Sequence, residues 1–334
     1  MKNGFGFDQY TAFAQRVNAA ALAEDRHDEI INPIDLLPEI LELYENGFRK
    51  GLSTGWSSFD EYFTVRAGEM TIITGYPGSG KSCWLDNLMI NLPRKDGWRW
   101  AVFSAENYPV ARHVASLTEI HTGKPFRRGP TPRMSADVAE ESVKWLNEHF
   151  QFIQPRGDGY SLDRIVQAAI QLSDIDALVI DPWNELDHSR PPLMREDEFI
   201  SVSLTKLRWF ARTAEIHIFV IAHPAKYVRQ KGEARPVPSL NEVKGASEWF
   251  AKADNGLAVW RDEKDTVGAT EVHIQKIRFR EVGRAGGVVA LLYDRVTGRY
   301  SDPNHKKSVE ELEQQLQKAV DRGWLTAREP GEEG

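Results

Sequence analysis

The sequence predicts an α/β fold in which helices cover a mostly parallel β-sheet, preceded by a short helical N-terminal segment. From about Gly51 to Asp302, apolar β-rich runs alternate with helical stretches, which is typical of a parallel sheet covered on both faces. The last four runs are joined by shorter connections, so we expect the sheet to end in an antiparallel meander. The predicted strands are Met70–Thr74, Trp100–Ser104, Phe150–Gln154, Ala177–Ile180, His217–Ala222, Leu257–Trp260, Val272–Ile277 and Val288–Leu292.

Composition narrows the class of protein. The chain of 334 residues has 41% hydrophobic and 27% charged residues, which excludes a fibrous or disordered chain. No run approaches the ~18 apolar residues of a membrane helix, and the first 30 residues carry more acids than bases, so we expect a cytoplasmic protein without a membrane partner. Cys83 is the single cysteine, which excludes an internal disulfide. The net charge of −7 excludes a globally basic coat but not local basic loops.

Two flanking segments lie outside the alternating region. Within residues 1–50, apolar residues recur every three to four positions from Phe7 to Ala21 and again from Leu36 to Leu43, which predicts two short amphipathic helices. Such a helix cannot bury its own apolar stripe, so it packs either on its own chain or on a neighbouring subunit. Within residues 303–334 we expect one charged helix and a frayed end.

The strongest single signal is a phosphate-binding loop. The segment Gly75-Tyr-Pro-Gly-Ser-Gly-Lys-Ser82 matches G-x-x-x-x-G-K-[ST] and stands between an apolar strand and a helical run, as this motif requires. Its glycines let backbone N–H groups surround phosphates, and the positive end of the next helix faces them. Lys81 supplies a charge for the β- and γ-phosphate oxygens, and Ser82 supplies a hydroxyl for Mg²⁺. The residues expected to bind ATP, or another NTP or dNTP, are Gly75, Pro77, Gly78, Ser79, Gly80, Lys81, Ser82 and Cys83.

Carboxylates at strand ends predict the rest of a hydrolytic site. The run Ala177–Asp181 passes from apolar residues into an acid, and we expect Asp181 beside the phosphate loop as a ligand of Mg²⁺. Capping of the next turn is its alternative role. Glu106 follows a strand that we expect to be adjacent to the phosphate loop, and it is the candidate that orients the attacking water. Stabilisation of the next helix is its alternative role, and Glu185 is the reserve candidate.

Six segments occur in an order typical of one family. They are the phosphate-loop strand, FSAE, ALVIDPWNE, VIAHPAK, KGASEWFAKADNGLAVWRD and QKIRFR. Together they resemble the hexameric RecA-type replicative DNA helicases of the DnaB/Twinkle family, most of all Twinkle and the helicase half of phage primase-helicases. The resemblance covers residues 51–302. It implies a RecA-like P-loop NTPase core, a hexameric ring with nucleotide at subunit interfaces, 5′→3′ movement on single-stranded DNA, and a bacterial or phage-encoded source.

The same resemblance implies roles for single residues near the nucleotide. Glu106 matches the catalytic glutamate of the family, and His223 in AHPAK matches a histidine that senses the γ-phosphate. Tyr293 aligns with an aromatic residue that stacks on the nucleotide base, and Arg261 aligns with a nucleotide-proximal arginine. A strand aromatic and a loop arginine also have purely structural roles in many proteins.

Cations of the segment QKIRFR match the arginine-finger region of the family, with Arg278 as the finger and Lys276 as its helper. Strand alternation puts Lys276, Arg278 and Arg280 on one face. From the residues alone, that face is either a solvated edge or a set of cations directed at the nucleotide of the next subunit, where such a cation strongly accelerates phosphoryl transfer.

Basic residues after His223 predict contacts to DNA. The stretch from Lys226 to Lys244 has five cations against two acids, and a translocating ring needs basic loops that face its channel. The segment Lys244–Ser247 resembles a second DNA-contacting element, since small residues let backbone amides approach phosphates. A solvated loop is the alternative. The residues expected to contact DNA are Lys226, Arg229, Lys231, Arg235, Lys244, Gly245 and Ser247.

Two further loops are charged. The loop Asp187–Asp197 is a candidate for another channel loop. The cluster Lys124, Arg127, Arg128 and Arg133 carries four cations and no acid between them, and we assign it no specific role.

The leading interpretation is a ring helicase whose partners are further copies of itself, single-stranded and forked DNA, and a primase and polymerase as further candidates. A RecA-like recombination ATPase that forms an ATP-gated filament on single-stranded DNA is the alternative. A ring ATPase of signalling or timing is the third interpretation, against which the basic stretch argues. The segments typical of a primase half are not found upstream of Gly51, and a stand-alone helicase and a part of a longer primase-helicase both remain open.

Overall fold

The computed structural model describes residues 30–155, 159–172, 174–225, 235–245, 247–262 and 269–303. It divides into two compact units, Met1–Arg49 and Lys50–Gly334. In the first unit, helix α1 spans Leu37–Asn46, where the second N-terminal helix was predicted. Pro38 in its first turn suits a position whose N–H has no helical partner. The first predicted N-terminal helix and the predicted C-terminal helix lie outside the described residues.

The second unit confirms the predicted α/β class. Its described helices are α2 (Ser57–Asp60), α3 (Lys81–Asp96), α4 (Val110–Thr122), α5 (Ala136–His149), α6 (Leu162–Ile170), α7 (Glu196–Thr213) and α8 (Ser247–Lys252), with 3₁₀ turns at Trp183–Glu185 and Leu240–Glu242. Its described strands are β1 (Met70–Thr74), β2 (Trp100–Ser104), β3 (Phe150–Phe152), β4 (Ala177–Asp181), β5 (His217–Ile221), β6 (Asn255–Trp260), β7 (Ala269–Ile277), β8 (Val288–Tyr293) and β9 (Tyr300–Ser301).

These strands form one sheet in the order β3-β2-β4-β5-β1-β6-β7-β8-β9. Strands β1 to β6 pair in parallel, and β6 to β9 pair antiparallel. The meander predicted from the short connections is therefore present. Strand β9 has two residues, too few to produce a sequence pattern, and the prediction omitted it.

The core lies between the sheet and the helices on it. Trp84 of α3 and Trp100 of β2 are fully buried. Trp84 stacks on Trp56 with ring centroids 5.9 Å apart, and Trp100 contacts Phe219 of β5 at 5.8 Å. This packing fixes α3, and with it the loop before α3, against the parallel strands.

The strand order adds what the sequence left open. The neighbours of β1 are β5 and β6. Strands β4, which contains Asp181, and β2, which precedes Glu106, follow beyond β5. Sequence order does not reveal strand order in a parallel sheet, because each crossover connection can skip a strand.

Candidate functional site

Four adjacent strand ends form the candidate site. Strands β2, β4, β5 and β1 are parallel neighbours, so their carboxyl ends lie at one edge of the sheet. The residues at these ends are Glu106, Asp181, His223 and the phosphate loop. Ligands bind at this edge in open α/β sheets. The fold thus brings together the predicted hydrolytic residues, although they are 148 positions apart at the extremes (75 to 223).

The phosphate loop needs its glycines for geometric reasons. Gly80 has φ +95° immediately before α3, a left-handed conformation that favours glycine. A Cβ on Gly80 would lie 2.6 Å from the hydroxyl oxygen of Tyr300, and a Cβ on Gly75 would collide with the carbonyl oxygen of Val259. Tyr300 and β6 therefore confine the loop, and its backbone approaches the space where phosphates would bind.

Lys81 is buried and held inside the loop. Its Nζ donates hydrogen bonds to the carbonyl oxygens of Gly75, at 2.7 Å, and Tyr76, at 3.0 Å. Burial lowers the pKa of Lys81 to about 8, against the opposing effect of the carboxylates of Asp181 and Glu106. The ammonium group is thus already aimed into the loop, and a phosphate can replace the carbonyl oxygens as its partner.

Asp181 is suited to a divalent cation. Burial raises its pKa to about 7, the Ser82 hydroxyl opposes this by hydrogen bonding, and the carboxylates of Asp86 and Glu106 raise it further. Its Oδ1 atom is buried without a hydrogen-bond partner among the described residues. A cation beside such a carboxylate would offset the cost of burying its charge. Ser82 and Asp181 therefore fit Mg²⁺, which takes few protein ligands and completes its shell with phosphates and water.

The described residues contain no group of three or more His, Cys, Asp or Glu side chains that would hold a metal by themselves.

The two candidate bases differ in what they face. Glu106 is exposed, and its charge acts on both Lys81 and Asp181. Glu185, also exposed, acts on His223. Glu106 is therefore the carboxylate that faces the phosphate loop and the cation-binding residues together, which favours it over the reserve candidate as the group that orients water.

His223 follows β5, and its backbone N–H donates to Asn184 Oδ1 at 2.8 Å. Burial, and secondarily the charge of Lys81, lower the pKa of its imidazole to about 4, while Glu185 acts in the opposite direction. The ring is thus neutral at neutral pH, and one of its nitrogens can donate to a phosphate oxygen without the cost of a buried charge.

A buried pair near Asp181 was missed by the sequence analysis. His113 Nε2 lies 2.8 Å from Asp86 Oδ1, and both residues are buried. Burial lowers the pKa of His113, but the charge and hydrogen bond of Asp86 outweigh it and raise the pKa above its usual value. The pair ties α3, which carries Lys81, to α4, which follows Glu106. Neither residue belongs to a recognisable motif, so only their spatial contact reveals them.

A second cluster surrounds the start of α3. Arg261 donates to Thr270 Oγ1 from Nε at 3.1 Å and from Nη2 at 2.8 Å, and its Nη2 lies 3.3 Å from the Tyr300 hydroxyl. The guanidinium carbon is 5.1 Å from the centroid of the Tyr293 ring. Burial raises the pKa of Cys83, which lies beside this cluster, to about 12. Arg261, Tyr293 and Cys83, each predicted to bind the nucleotide, are therefore neighbours, and Tyr300 and Thr270 are unpredicted members.

Lys276 and Arg278 lie at the end of β7, where they contact α8 and the residues after it. Arg278 Nε is 2.7 Å from Asp254 Oδ1, and Lys276 Nζ contacts the carbonyl oxygens of Phe250 and Ala251. Burial and the charge of Arg278 lower the pKa of Lys276. Within the described part of the chain, both cations thus bind this element rather than the phosphate loop of their own subunit.

The predicted DNA-contacting residues are only partly described. Lys226, Arg229 and Lys231 lie outside the described residues. The guanidinium carbon of Arg235 lies 4.6 Å from the centroid of the Tyr76 ring, so this residue contacts the phosphate loop. Its role in DNA binding stays a prediction.

The second predicted element adjoins the loop Asp187–Asp197. Lys244 Nζ lies 3.2 Å from Glu196 in that loop, and a Cβ on Gly245 would collide with Ile200 of α7. Ser247 begins α8. The side chains of Lys124, Arg127, Arg128 and Arg133 are exposed, and no described contact assigns them a role.

Comparison with protein families identifies this architecture. The model of the DnaB-like helicase C-terminal domain matches residues 51–302. The chain belongs to the DnaB-like helicase family. The predicted resemblance to DnaB and Twinkle is confirmed, and residues 51–302 form a DnaB-like helicase C-terminal domain of the P-loop NTPase class.

A curated relative supports the same family. The chain is 37% identical over 281 residues to the Twinkle homolog protein, chloroplastic/mitochondrial, of Arabidopsis thaliana, a match that covers 80% of this chain and 39% of the relative. The chain thus spans about two fifths of the curated relative. That relative is a plant organellar protein by name, and the expected bacterial or phage source is therefore not supported. In the described residues, no helix is long and apolar enough to cross a membrane.

Solved structures share the fold. A solved structure described as an ATPase domain matches with a TM-score of 0.67 and 16% identity, covering 82% of this chain and 99% of that one. A DnaB-like replicative helicase, described with its interactions with primase, matches with a TM-score of 0.63 and 17% identity over 88% and 75% of the two chains. The RadB recombinase matches with a TM-score of 0.51 and 17% identity over 74% and 97%. The family match favours the helicase over the recombinase alternative.

Proposed function

We propose that copies of this chain assemble into a ring that hydrolyses ATP, moves 5′→3′ on single-stranded DNA and unwinds duplex DNA. The observation that carries the proposal is the arrangement of the two sets of functional residues. Glu106, Asp181, His223 and the phosphate loop meet at one sheet edge, whereas Arg278 binds Asp254 at the end of β7. An active centre shared between neighbouring subunits follows if Arg278 acts on the nucleotide of the next copy.

The hydrolytic step is assigned as follows. The N–H groups of the phosphate loop and Lys81 bind the β- and γ-phosphates, and Ser82 and Asp181 would hold Mg²⁺. The cation, when bound, neutralises charge that develops on the phosphate oxygens. Glu106 accepts a proton from water as the water oxygen bonds to the γ-phosphorus. The bond between the γ-phosphorus and the β,γ-bridging oxygen breaks. ADP and inorganic phosphate result, and Arg278 of the next copy stabilises the charge on the transferring group.

The coupling to DNA is assigned to the basic segments. His223 is proposed to bind the γ-phosphate and to lose this hydrogen bond after hydrolysis, and the stretch that begins at Lys226 follows it by three residues. Lys226, Arg229, Lys231, Arg235, Lys244, Gly245 and Ser247 are proposed to contact the DNA backbone. Contacts of this type give salt-dependent binding without base specificity.

The flanking segments are assigned to assembly. Residues 1–50 contain α1, a ten-residue helix none of whose side chains is buried, and we assign this segment to docking on a neighbouring copy. Residues 303–334 are assigned to a C-terminal helix and tail. A primase is proposed as a further partner, because one structural relative is described with its primase interactions. A cytoplasmic or organellar compartment is compatible with these assignments.

The decisive experiment is unwinding of a forked DNA duplex with ATP and Mg²⁺, followed by strand separation, with the Lys81→Ala variant as the matched control. We expect ATP-dependent unwinding by the wild-type chain and none by Lys81→Ala. Tight binding of single-stranded DNA with strand exchange, but without unwinding, would support the recombination ATPase. The absence of both DNA binding and unwinding would contradict the proposed function.

A further inference from the structure

The side chain of Arg278 is fixed by contacts on two of its nitrogen atoms. Its Nε lies 2.7 Å from Asp254 Oδ1, as an ion pair without the geometry of a hydrogen bond. Its Nη2 donates to the carbonyl oxygens of Ala253, at 3.1 Å, and Ala251, at 3.4 Å. Within the described residues, its hydrogen bonds and ion pairs involve Nε and Nη2 but not Nη1. A guanidinium held in this way keeps N–H groups for a phosphate on a planar fork whose orientation is already set.

Asp254 is anchored independently of Arg278. The residue is fully buried between α8 and β6. Its Oδ2 accepts a hydrogen bond from the backbone N–H of Met70 at 3.1 Å, and its own backbone N–H donates to the carbonyl oxygen of Met70 at 3.0 Å. The carboxylate is therefore attached to the first residue of β1, the strand that leads into the phosphate loop. It cannot move without displacing that strand.

Burial of a carboxylate is costly unless a cation compensates it. Arg278 is the closest cation to Asp254, while Arg212 of α7 lies farther away, at 3.6 Å from the same oxygen, and is half exposed. A carboxyl group that only capped β1 would need no charge, because an amide oxygen accepts the Met70 N–H equally well. The charge on Asp254 is therefore explained by Arg278.

We propose that Asp254 is a positioning residue, which orients Arg278 toward the nucleotide bound by a neighbouring copy. The inference rests on the proposed function, since it assumes that Arg278 acts across the subunit interface. Catalysis by a cation at the transferring phosphate depends on placement, and a displacement of about 1 Å costs roughly 100-fold in rate. Asp254 supplies this placement from the rigid edge of β1.

The test uses mixed assemblies of full-length subunits. Lys81→Ala subunits keep Arg278 and act as donors, whereas Arg278→Ala subunits keep the phosphate loop and act as acceptors. Each variant alone should hydrolyse little ATP, and their mixture should recover hydrolysis at the shared centres. Asp254→Asn is then added either to the donor or to the acceptor. The asparagine can still accept from Met70 N–H, but its neutral amide no longer pairs with Arg278.

We expect Asp254→Asn in the donor to lower the recovered hydrolysis at least tenfold, and the same change in the acceptor to leave it within twofold. A loss of stability alone would lower the recovery from either position. Arg212→Gln in the donor is the matched control, because it removes the other cation near Asp254 without touching Arg278. We expect it to change the recovery less than twofold.

Two results would overturn the inference while leaving the shared centre intact. In the first, Asp254→Asn in the donor leaves the recovered ATP hydrolysis unchanged. In the second, Asp254→Asn lowers the recovered hydrolysis equally from the donor and from the acceptor. If the mixture of Lys81→Ala and Arg278→Ala subunits recovers no ATP hydrolysis, the shared centre itself is contradicted, and the inference with it. Should Asp254→Asn subunits fail to assemble, Asp254→Glu provides the second variant. It keeps the charge but shifts it by one methylene, and it should lower recovery from the donor only; equal effects from both positions contradict the proposal.

Discussion

The parallel and antiparallel halves of the sheet carry their functional residues in different places. Strands β1, β4 and β5 are buried along their whole length, and the polar groups of the candidate site lie at or after their carboxyl ends. Strand β7 alternates between buried and partly exposed residues, and its polar side chains, Lys276 among them, lie along the strand. A strand covered on both faces restricts chemistry to its ends, whereas a strand with one open face can present charges to another molecule.

This difference separates two tasks. In the proposed function, the parallel half assembles groups that act on a nucleotide bound to the same chain. The antiparallel half holds Lys276 and Arg278 against α8 and Asp254, and in the proposed function these cations act on the nucleotide of a neighbouring copy. Helix α8 connects this region to the second predicted DNA-contacting element, since it begins at Ser247. The predictions below separate the two halves, starting with the largest expected effect.

Replacement of Arg278 by alanine tests the antiparallel half. Loss of a cation at the transferring phosphate should reduce kcat for ATP by about 1,000-fold, while nucleotide still binds through Lys81 and the phosphate loop. Steady-state hydrolysis in assembled protein and equilibrium binding of a fluorescent ATP analogue measure the two quantities. Arg280→Ala, on the same predicted face, is the control and should retain activity. Normal hydrolysis by assembled Arg278→Ala would show that this arginine does not act in trans.

Replacement of Glu106 by glutamine tests the parallel half. The amide cannot accept a proton from water, so kcat should fall by about 100-fold or more with little change in ATP binding. Glu185→Gln is the matched control, because that carboxylate acts on His223 rather than on Lys81. A larger loss in Glu185→Gln than in Glu106→Gln would reverse the assignment of the base.

Much of the parallel half could be predicted, because its strands are apolar runs with sharp ends. Strands β1 and β2 begin and end at the predicted residues, and the motif around Lys81 fixes its neighbours through backbone geometry. The order of the strands could not be predicted from these runs. As a result, the positions of Glu106 and Asp181 relative to β1 stayed open, although both residues do reach the edge where Lys81 lies.

The unpredicted part of the site consists of residues that act through contacts between distant segments. Asp254 precedes an apolar strand and His113 lies in an amphipathic helix, so each had an ordinary structural explanation. Their partners, Arg278 and Asp86, are 24 and 27 positions away (278 − 254; 113 − 86). The sequence held one signal, which is that Asp254 in ADNG is an acid immediately before β6. Without the strand order, this signal did not identify a partner.

The basic segments yield a prediction of intermediate size. The double variant Lys231→Ala with Arg235→Ala should bind single-stranded DNA more weakly, and the slope of log K against log salt should fall by about 0.7 for each phosphate contact that is lost. The single variants sharpen the test, since Arg235 lies over the ring of Tyr76. Fluorescence anisotropy at several salt concentrations measures the slopes, with Lys124→Ala as the control. An unchanged affinity of the double variant would locate the channel elsewhere.

The smallest predicted effect concerns stability and the parallel half alone. His217 of β5 is fully buried; its Nδ1–H donates to the Arg66 carbonyl oxygen at 2.6 Å, and its Nε2 accepts from the Thr71 hydroxyl at 2.9 Å. Burial lowers the pKa of His217 to about 4, against the opposing hydrogen bond to Arg66. Because the unfolded chain takes up this proton near pH 6.5 and the folded chain only near pH 4, the stability from the neutral ring is complete above pH 6.5.

That stability should be lost progressively as the pH falls from 6.5 toward 4, by at most about 1.4 kcal/mol per pH unit. Urea denaturation at pH 7, 6 and 5 gives the free energy of unfolding for the wild-type chain and for His217→Gln, which cannot titrate. The variant should be less stable at pH 7, but its free energy of unfolding should depend less steeply on pH. His121→Gln is the control for titration elsewhere, because burial also lowers the pKa of His121 to about 4, although this residue lies outside the sheet. If the free energy of unfolding depends equally steeply on pH in the wild type and in His217→Gln, then β5 tolerates a charge. The parallel strands would then differ from the antiparallel strands in burial but not in their tolerance of charge.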